Sequence, residues 1–127
     1  MASEATPAPL YQDQFVEIYA DHLSIKTYYF PFGQDTRVDL PSESGTVSFA
    51  TDRDLGFTWK DKKSWGMAFN NVWWALDFGR EFRQRHLGIV ITVGDHRFRK
   101  GFSVEKEEAA LKVLDSLLPR TKHPQSS

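Results

Sequence analysis

Four histidines, at positions 22, 86, 96 and 123, are the residues best suited to acid–base or metal chemistry, and none stands in an HExxH or i, i+4 pair. The chain has no cysteine, which removes thiolate metal sites, disulfides and a Cys nucleophile together. No carboxylate pair stands out from the ordinary surface acids. No GxSxG elbow, P-loop or GxGxxG occurs, so nucleophilic, phosphoryl-transfer and dinucleotide chemistry lack their usual scaffolds. Asp77-Phe-Gly79 spells a magnesium-binding tripeptide of phosphoryl-transfer enzymes, but the Gly-rich loop, strand lysine and catalytic loop that must accompany it are missing. The sequence reads as a non-enzyme, with no cofactor and no metal.

Two groups of residues are better suited to binding. Between positions 80 and 100, six basic residues (Arg80, Arg83, Arg85, Arg97, Arg99 and Lys100) face two acids, whereas positions 1–79 carry six basic residues against eleven acidic ones. Arg97 and Arg99 would project from one face of a strand, which suits an anion or an acidic peptide. A solvated face, or edge-strand charge that discourages aggregation, would need the same residues. The formal net charge of −1 gives no global pull toward nucleic acid or an anionic membrane. The second group is Phe30, Phe32, Trp73 and Trp74. Adjacent tryptophans in an extended segment point to opposite faces, so one turns away from the core. That ring is either a binding anchor or is covered by a loop.

The elements that must position these groups follow from periodicity. With 127 residues, 40% of them apolar and 14% aromatic, the chain supports one hydrophobic core. Residues 1–10 and 119–127 read as disordered tails around a folded segment over 11–118. The N-terminus lacks the features of a signal peptide and no apolar run approaches the ~18 residues of a membrane span, so a soluble, cytoplasmic protein is expected. Phe15-Val-Glu-Ile-Tyr19 and Leu23-Ser-Ile-Lys-Thr-Tyr-Tyr29 predict a hairpin about an Ala20-Asp21 turn, with Leu23, Ile25 and Tyr29 on one face. Strands follow at Arg37–Leu40 and Thr46–Ala50, and two more between Phe57 and Phe69 around the charged turn Lys60-Asp-Lys-Lys63. Leu87, Ile89, Ile91 and Val93 share a face of a late hairpin that turns at Gly94-Asp95 and returns along His96–Lys100. Ser103 as N-cap, with Val104, Leu111, Leu114 and Leu118 at helical spacing, predicts a helix from about 104 to 118.

Several stretches carry a resemblance: Leu23-Ser-Ile-Lys-Thr-Tyr-Tyr-Phe-Pro-Phe-Gly33 with Arg37-Val-Asp-Leu40, then Trp73-Trp74-Ala-Leu-Asp-Phe-Gly-Arg80, Gly88-Ile-Val-Ile-Thr-Val-Gly94 and Gly101-Phe-Ser-Val-Glu105. Together they resemble the small bacterial PH-like (pleckstrin-homology-like) proteins of unknown function. The resemblance implies a mainly β fold: a PH-like barrel of two near-orthogonal antiparallel sheets, about seven strands in all, capped by one C-terminal α-helix. Phosphoinositide-binding members of that superfamily gather Lys and Arg where the first strand turns into the second. Here that turn reads Tyr19-Ala-Asp21-His22 with no basic residue, so phosphoinositide is not an expected ligand. The expected function is a non-catalytic PH-like interaction module that binds a protein segment or its own copies through Phe30, Phe32, Trp73 and Trp74. The alternative is anionic-ligand or membrane-surface binding through the basic hairpin over 80–100. Neither nucleic acid binding nor integral membrane association is expected.

Overall fold

A computed structural model describes residues 8–29, 31–40, 47–58, 61–68, 70–77, 86–94 and 98–121. Ala20 and Asp21 make the expected two-residue turn: Tyr19 N–H donates to the His22 carbonyl at 2.7 Å and Ile18 pairs with Leu23. That turn joins β2 (Val16–Ile18) to β3 (His22–Ile25). With β1 (Tyr11–Gln12) and β4 (Thr36–Asp39) they form an antiparallel sheet in sequence order. Strand alternation sends Val16, Ile18, Leu23, Ile25 and Val38 to its buried face. Beyond Ile25 the alternation slips. Thr27 adopts φ +48°, a left-handed conformation rare for a β-branched residue. Tyr28 (4% exposed) therefore turns inward in place of the expected Tyr29 (44%).

The second sheet contains β5 (Val47–Thr51), β6 (Gly66–Met67), β7 (Val72–Trp74), β8 (Leu87–Val93) and β9 (Arg99–Val104), in the order β5-β8-β9-β7-β6. Both faces of this sheet are covered, as the uninterrupted apolar run of β8 requires. On the inner face Leu87, Ile89, Ile91, Phe49, Phe102 and Val104 join the apolar face of the first sheet in one core. On the outer face Val90, Val72, Trp74 and Ala68 form a smaller cluster beneath Leu55 and Phe57.

The expected barrel of about seven antiparallel strands is not what forms. The described residues make nine strands in two sheets that are not closed into a barrel, and β7 pairs with β9 in parallel. The parallel pairing is the physical reason: it adds β7 and β6 beyond β9, so the second sheet ends at β6 and β5 instead of running on into the first. The free side of β5 is occupied by the chain's own residues 119–121. Phe49 N–H donates to the Pro119 carbonyl and Thr121 N–H to the Phe49 carbonyl.

The late hairpin is also longer than expected. A turn at Gly94-Asp95 would pair Ile91 with Phe98, but Ile91 pairs with Lys100, and the return strand runs from Arg99 to Val104. Asp95, His96 and Arg97 lie outside the described residues. Ser103 is consequently a buried strand residue and not a helix cap. The helix α1 starts later, at Glu107, and ends at Leu117.

No side chain caps α1 from within. Its approach is held from the N-terminal segment instead: Tyr11 Oη accepts from Lys106 N–H at 3.0 Å, and Asp13 accepts from Glu105 N–H at 2.8 Å. Glu107 and Glu108 suit the positive first turn. Ala110 and Leu114 are fully buried in the core, and Leu118 closes it just past the helix. Among the described residues no helix is long and apolar enough to cross a membrane.

Two outcomes follow from this helix attachment. Leu114→Ala should cost about 2 to 5 kcal/mol in a denaturant melt, and a loss under about 1 kcal/mol would show that the helix face is not core. Burial, and next the Asp13 carboxylate, push the Tyr11 phenol up to about 12. The unfolded phenol titrates near ~10, so the fold favours the protonated form, and its contribution is complete below that pH. Relative to Tyr11→Phe, the wild-type chain should lose stability as pH rises from about 10 to about 12. Tyr28, pushed higher still by burial, titrates in both proteins and cancels. A stability difference that stays constant across that window would contradict the Tyr11 assignment.

Candidate functional site

Trp73 and Trp74 point to opposite faces of β7, as the pleat demands. Neither faces open solvent. Trp74, on the outer face, is fully buried, while Trp73, toward the main core, is half-buried. The outer ring is covered because the segment after β5 folds back over it. Lys62 Nζ donates to Asp52 Oδ2 at 2.9 Å, with side chains only 3% and 10% exposed, and Gly88 N–H donates to the same oxygen at 3.2 Å. The charged turn expected over Lys60–Lys63 thus hides one of its lysines. Trp74 serves the fold rather than a partner.

Trp73 has a different task. Its Nε1–H donates to the Tyr28 carbonyl at 2.7 Å, and Trp65 Nε1–H donates to the same oxygen at 3.0 Å. One carbonyl thus uses both lone pairs on two indoles. Lys100 Nζ lies 5.0 Å from the centre of the Tyr28 ring, a cation–π distance. The backbone around Tyr28 is stitched as well. Thr27 N–H donates to Asp35 Oδ1, Tyr28 and Tyr29 N–H both donate to the Gln34 carbonyl, and Gly33 N–H donates to the Tyr29 carbonyl. Gly33 closes this turn at φ +81°, where a side chain would be strained. Phe32 stands at the tip, 84% exposed. Phe30 lies outside the described residues.

The expected basic patch is not assembled among the described residues. Arg80, Arg83, Arg85 and Arg97 lie outside them. Arg99 and Lys100, neighbours on β9, diverge. Arg99 donates to the Asn70 carbonyl at 2.7 Å and lies 6.0 Å from the Phe57 ring, and burial lowers its pKa. Lys100 reaches Tyr28 on the other face.

A second group escaped the sequence reading. Asp77, buried, accepts at Oδ2 from Ser103 Oγ–H at 2.7 Å and pairs through the same oxygen with His86 Nδ1 at 3.1 Å. Its own N–H is fixed on the Ser64 carbonyl. Asp77 and His86 border a cavity of about 340 Å³ together with Gln14, Phe15, Lys26, Thr27 and Leu76. Lys26 is already engaged by Glu17 at 3.1 Å and Asp35 at 3.9 Å. The lysine holds the Glu17 carboxyl below its ordinary pKa, and Glu17 in turn raises that of Lys26. Ser, Asp and His are present, but Ser103 Oγ–H donates to the aspartate, whereas in a catalytic triad it would donate to the imidazole. No short-range spacing links residues 77, 86 and 103; the arrangement exists only because β7 ends, β8 begins and β9 passes at the same end of the sheet.

Comparison with protein-family models, with curated proteins and with solved structures yields no match to this chain. Among the described residues no three His, Cys, Asp or Glu side chains gather as a metal ion would require.

The buried ion pair gives a sharp test of how Trp74 is held. Asp52 Oδ1 has no hydrogen-bond partner among the described residues, so the pair is incompletely compensated. Asp52→Ala should cost about 3 to 5 kcal/mol by stranding the Lys62 ammonium, while the double change Asp52→Leu with Lys62→Met should cost clearly less. Equal losses in urea melts of the two variants would mean that the charges are solvated rather than buried.

Proposed function

We propose that this chain is a non-catalytic PH-like interaction module that binds an extended protein segment, or a second copy of itself, through the loop between β3 and β4. The observation that carries this is Phe32, a large apolar side chain 84% exposed on a loop whose base is fixed by two indoles on one carbonyl. An aromatic anchor on a prefixed backbone loses little conformational entropy when it docks. Tyr29, 44% exposed, adds contact area on the same loop. Trp73 supports the loop from beneath. Two packed sheets with a C-terminal helix against their common core support the PH-like assignment. A Ser103 that donates to Asp77 and not to His86 supports a binding role over a catalytic one. The β2–β3 turn supports a protein ligand over a phosphoinositide, since Asp21 and His22 pair with each other there and the turn offers no phosphate clamp. A cytosolic setting fits the cysteine-free composition.

Selection of displayed peptides on the purified protein, with sedimentation mass measured in parallel, tests this. Phe32→Ala should change stability by no more than about 0.5 kcal/mol, yet cost about 2 kcal/mol or more in affinity for the selected peptides or for self-association. Binding should persist at high salt. Binding that ignores Phe32→Ala and collapses with ionic strength would favour an anionic ligand on the basic segment over 80–100 instead.

A further inference from the structure

The cavity beside His86 is lined by none of the residues that carry the Phe32 tip from Tyr28 to Gln34. At about 340 Å³ it falls within the ~300 to 1,000 Å³ of pockets that hold small molecules. Phe15 and Leu76 give it apolar walls, and Lys26, Thr27 and His86 give it polar ones.

His86 is set in a defined state. Asp77 Oδ2 already receives the Ser103 hydroxyl proton, and a carboxylate oxygen is an acceptor only. The ring nitrogen facing it, Nδ1, must therefore carry the proton. With the ring braced against Phe15, at 5.0 Å and 62°, Nε2 is the nitrogen left to the cavity that His86 borders. It makes no hydrogen bond to a described residue, and in the neutral ring its lone pair is an acceptor. A histidine orientated by a buried carboxylate in this way is built to receive a donor at one point.

Charge narrows the ligand. An anion entering the cavity would meet the Asp77 carboxylate and the single ammonium of Lys26, which Glu17 and Asp35 already neutralise. A cation would meet that ammonium directly. Lys26 and Asp77 both have their partners inside the protein, so neither offers a charged ligand compensation for its lost hydration. Thr27 adds an independent sign of construction. Its backbone is held at φ +48° between Asp35 and the Leu76 N–H, which donates to the Thr27 carbonyl at 3.0 Å, and residues kept in sparsely populated conformations gather at ligand sites.

We infer that this cavity binds a small uncharged molecule with an apolar body and an N–H or O–H group, which donates to His86 Nε2 while the body lies between Phe15 and Leu76. Asp77 is the positioning residue that fixes the imidazole tautomer.

Benzamide, benzoate and benzamidine have nearly one shape and carry charges of zero, minus one and plus one, so a titration with each, followed by NMR of the His86 ring and Leu76 methyls, separates the possibilities. Benzamide should shift these signals saturably, and the other two should bind at least about tenfold more weakly. The ring ¹⁵N spectrum should report the Nδ1–H tautomer before and after binding. His86→Phe keeps a ring beside Phe15 and removes the acceptor, and should weaken benzamide about tenfold, the scale of one hydrogen bond. Asp77→Asn should move the ring toward a tautomer mixture and weaken benzamide with it. Phe32→Ala should leave the titration unchanged, which keeps this site's fate separate from that of the peptide-binding loop. The inference is overturned if no probe shifts the wild-type signals, if a charged probe binds as well as benzamide, or if His86→Phe binds benzamide undiminished. Because the wild-type titration alone decides the first two, a variant that fails to fold does not shield the proposal.

Discussion

Trp74 lies against Gly101, its partner in the parallel pairing of β7 with β9, and a side chain at that glycine would sit 2.5 Å from the indole ring. The pairing needs both residues: a ring large enough to seal the outer face of the sheet, and a neighbour with no Cβ to push it off. Once β7 is fixed there, the rest follows by register. The pleat turns Trp73 the other way, toward the Tyr28 carbonyl. Ala75 N–H continues the ladder onto the Gly101 carbonyl at 2.8 Å, and two residues further Asp77 arrives beside Ser103, which lies two residues further along β9. The loop anchor and the cavity wall are thus both consequences of one strand laid parallel to another.

That arrangement covers a sheet on both faces in a small chain, and the outer cover is made with charge. Lys62 and Asp52 cross the outer cluster as a nearly dry pair, and a lone partner would strand a charge in apolar surroundings. Such a pair contributes little net stability compared with apolar side chains of the same volume. It does make the position of the covering segment specific, because only one placement of Asp52 satisfies both Lys62 and the Gly88 N–H. Asp13 has the same character at the other end of the fold, accepting from Phe15, Val16 and Glu105 backbone N–H groups, so that the N-terminal segment and the start of α1 are located by one carboxylate.

The features legible in the sequence are those set by neighbours along the chain. Ala20-Asp21 makes its turn, Leu23 and Ile25 alternate into the core, the apolar run of Leu87 to Val93 is an interior strand between β5 and β9, and Leu114 anchors the helix. What was not legible depends on partners far away. Tyr28 replaces Tyr29 in the core because Thr27 is held left-handed by Asp35 and Leu76. Ser103 looked like a cap by local pattern, yet a longer β8–β9 loop carries the strand through it and supplies its hydroxyl to Asp77. Lys62 read as a surface charge until Asp52 was brought beneath it. Parallel pairing leaves no mark in alternation at all, so the Asp77–His86 group is invisible in the sequence, and of the described members of the aromatic group Phe32 is the exposed one, while both faces of β7, to which the pleat sends the two tryptophans, are covered.

The loop that carries Phe32 and the cavity beside His86 share one stretch of backbone, Thr27 and Tyr28. Thr27 faces the cavity and Tyr28 carries the loop, and their successive carbonyls accept from Leu76 N–H and from the two indoles. Their N–H groups are committed to Asp35 and Gln34. With all four backbone polar groups engaged, a second arrangement of this stretch would first have to break hydrogen bonds it already makes. A ligand shifts another site only if it binds two states of the protein unequally, and a wall with one arrangement offers nothing to choose between. The shared stretch is therefore a reason for rigidity on both sides rather than for communication between them: Tyr28 holds the base of the loop that ends in Phe32, and Thr27 walls the cavity that His86 borders.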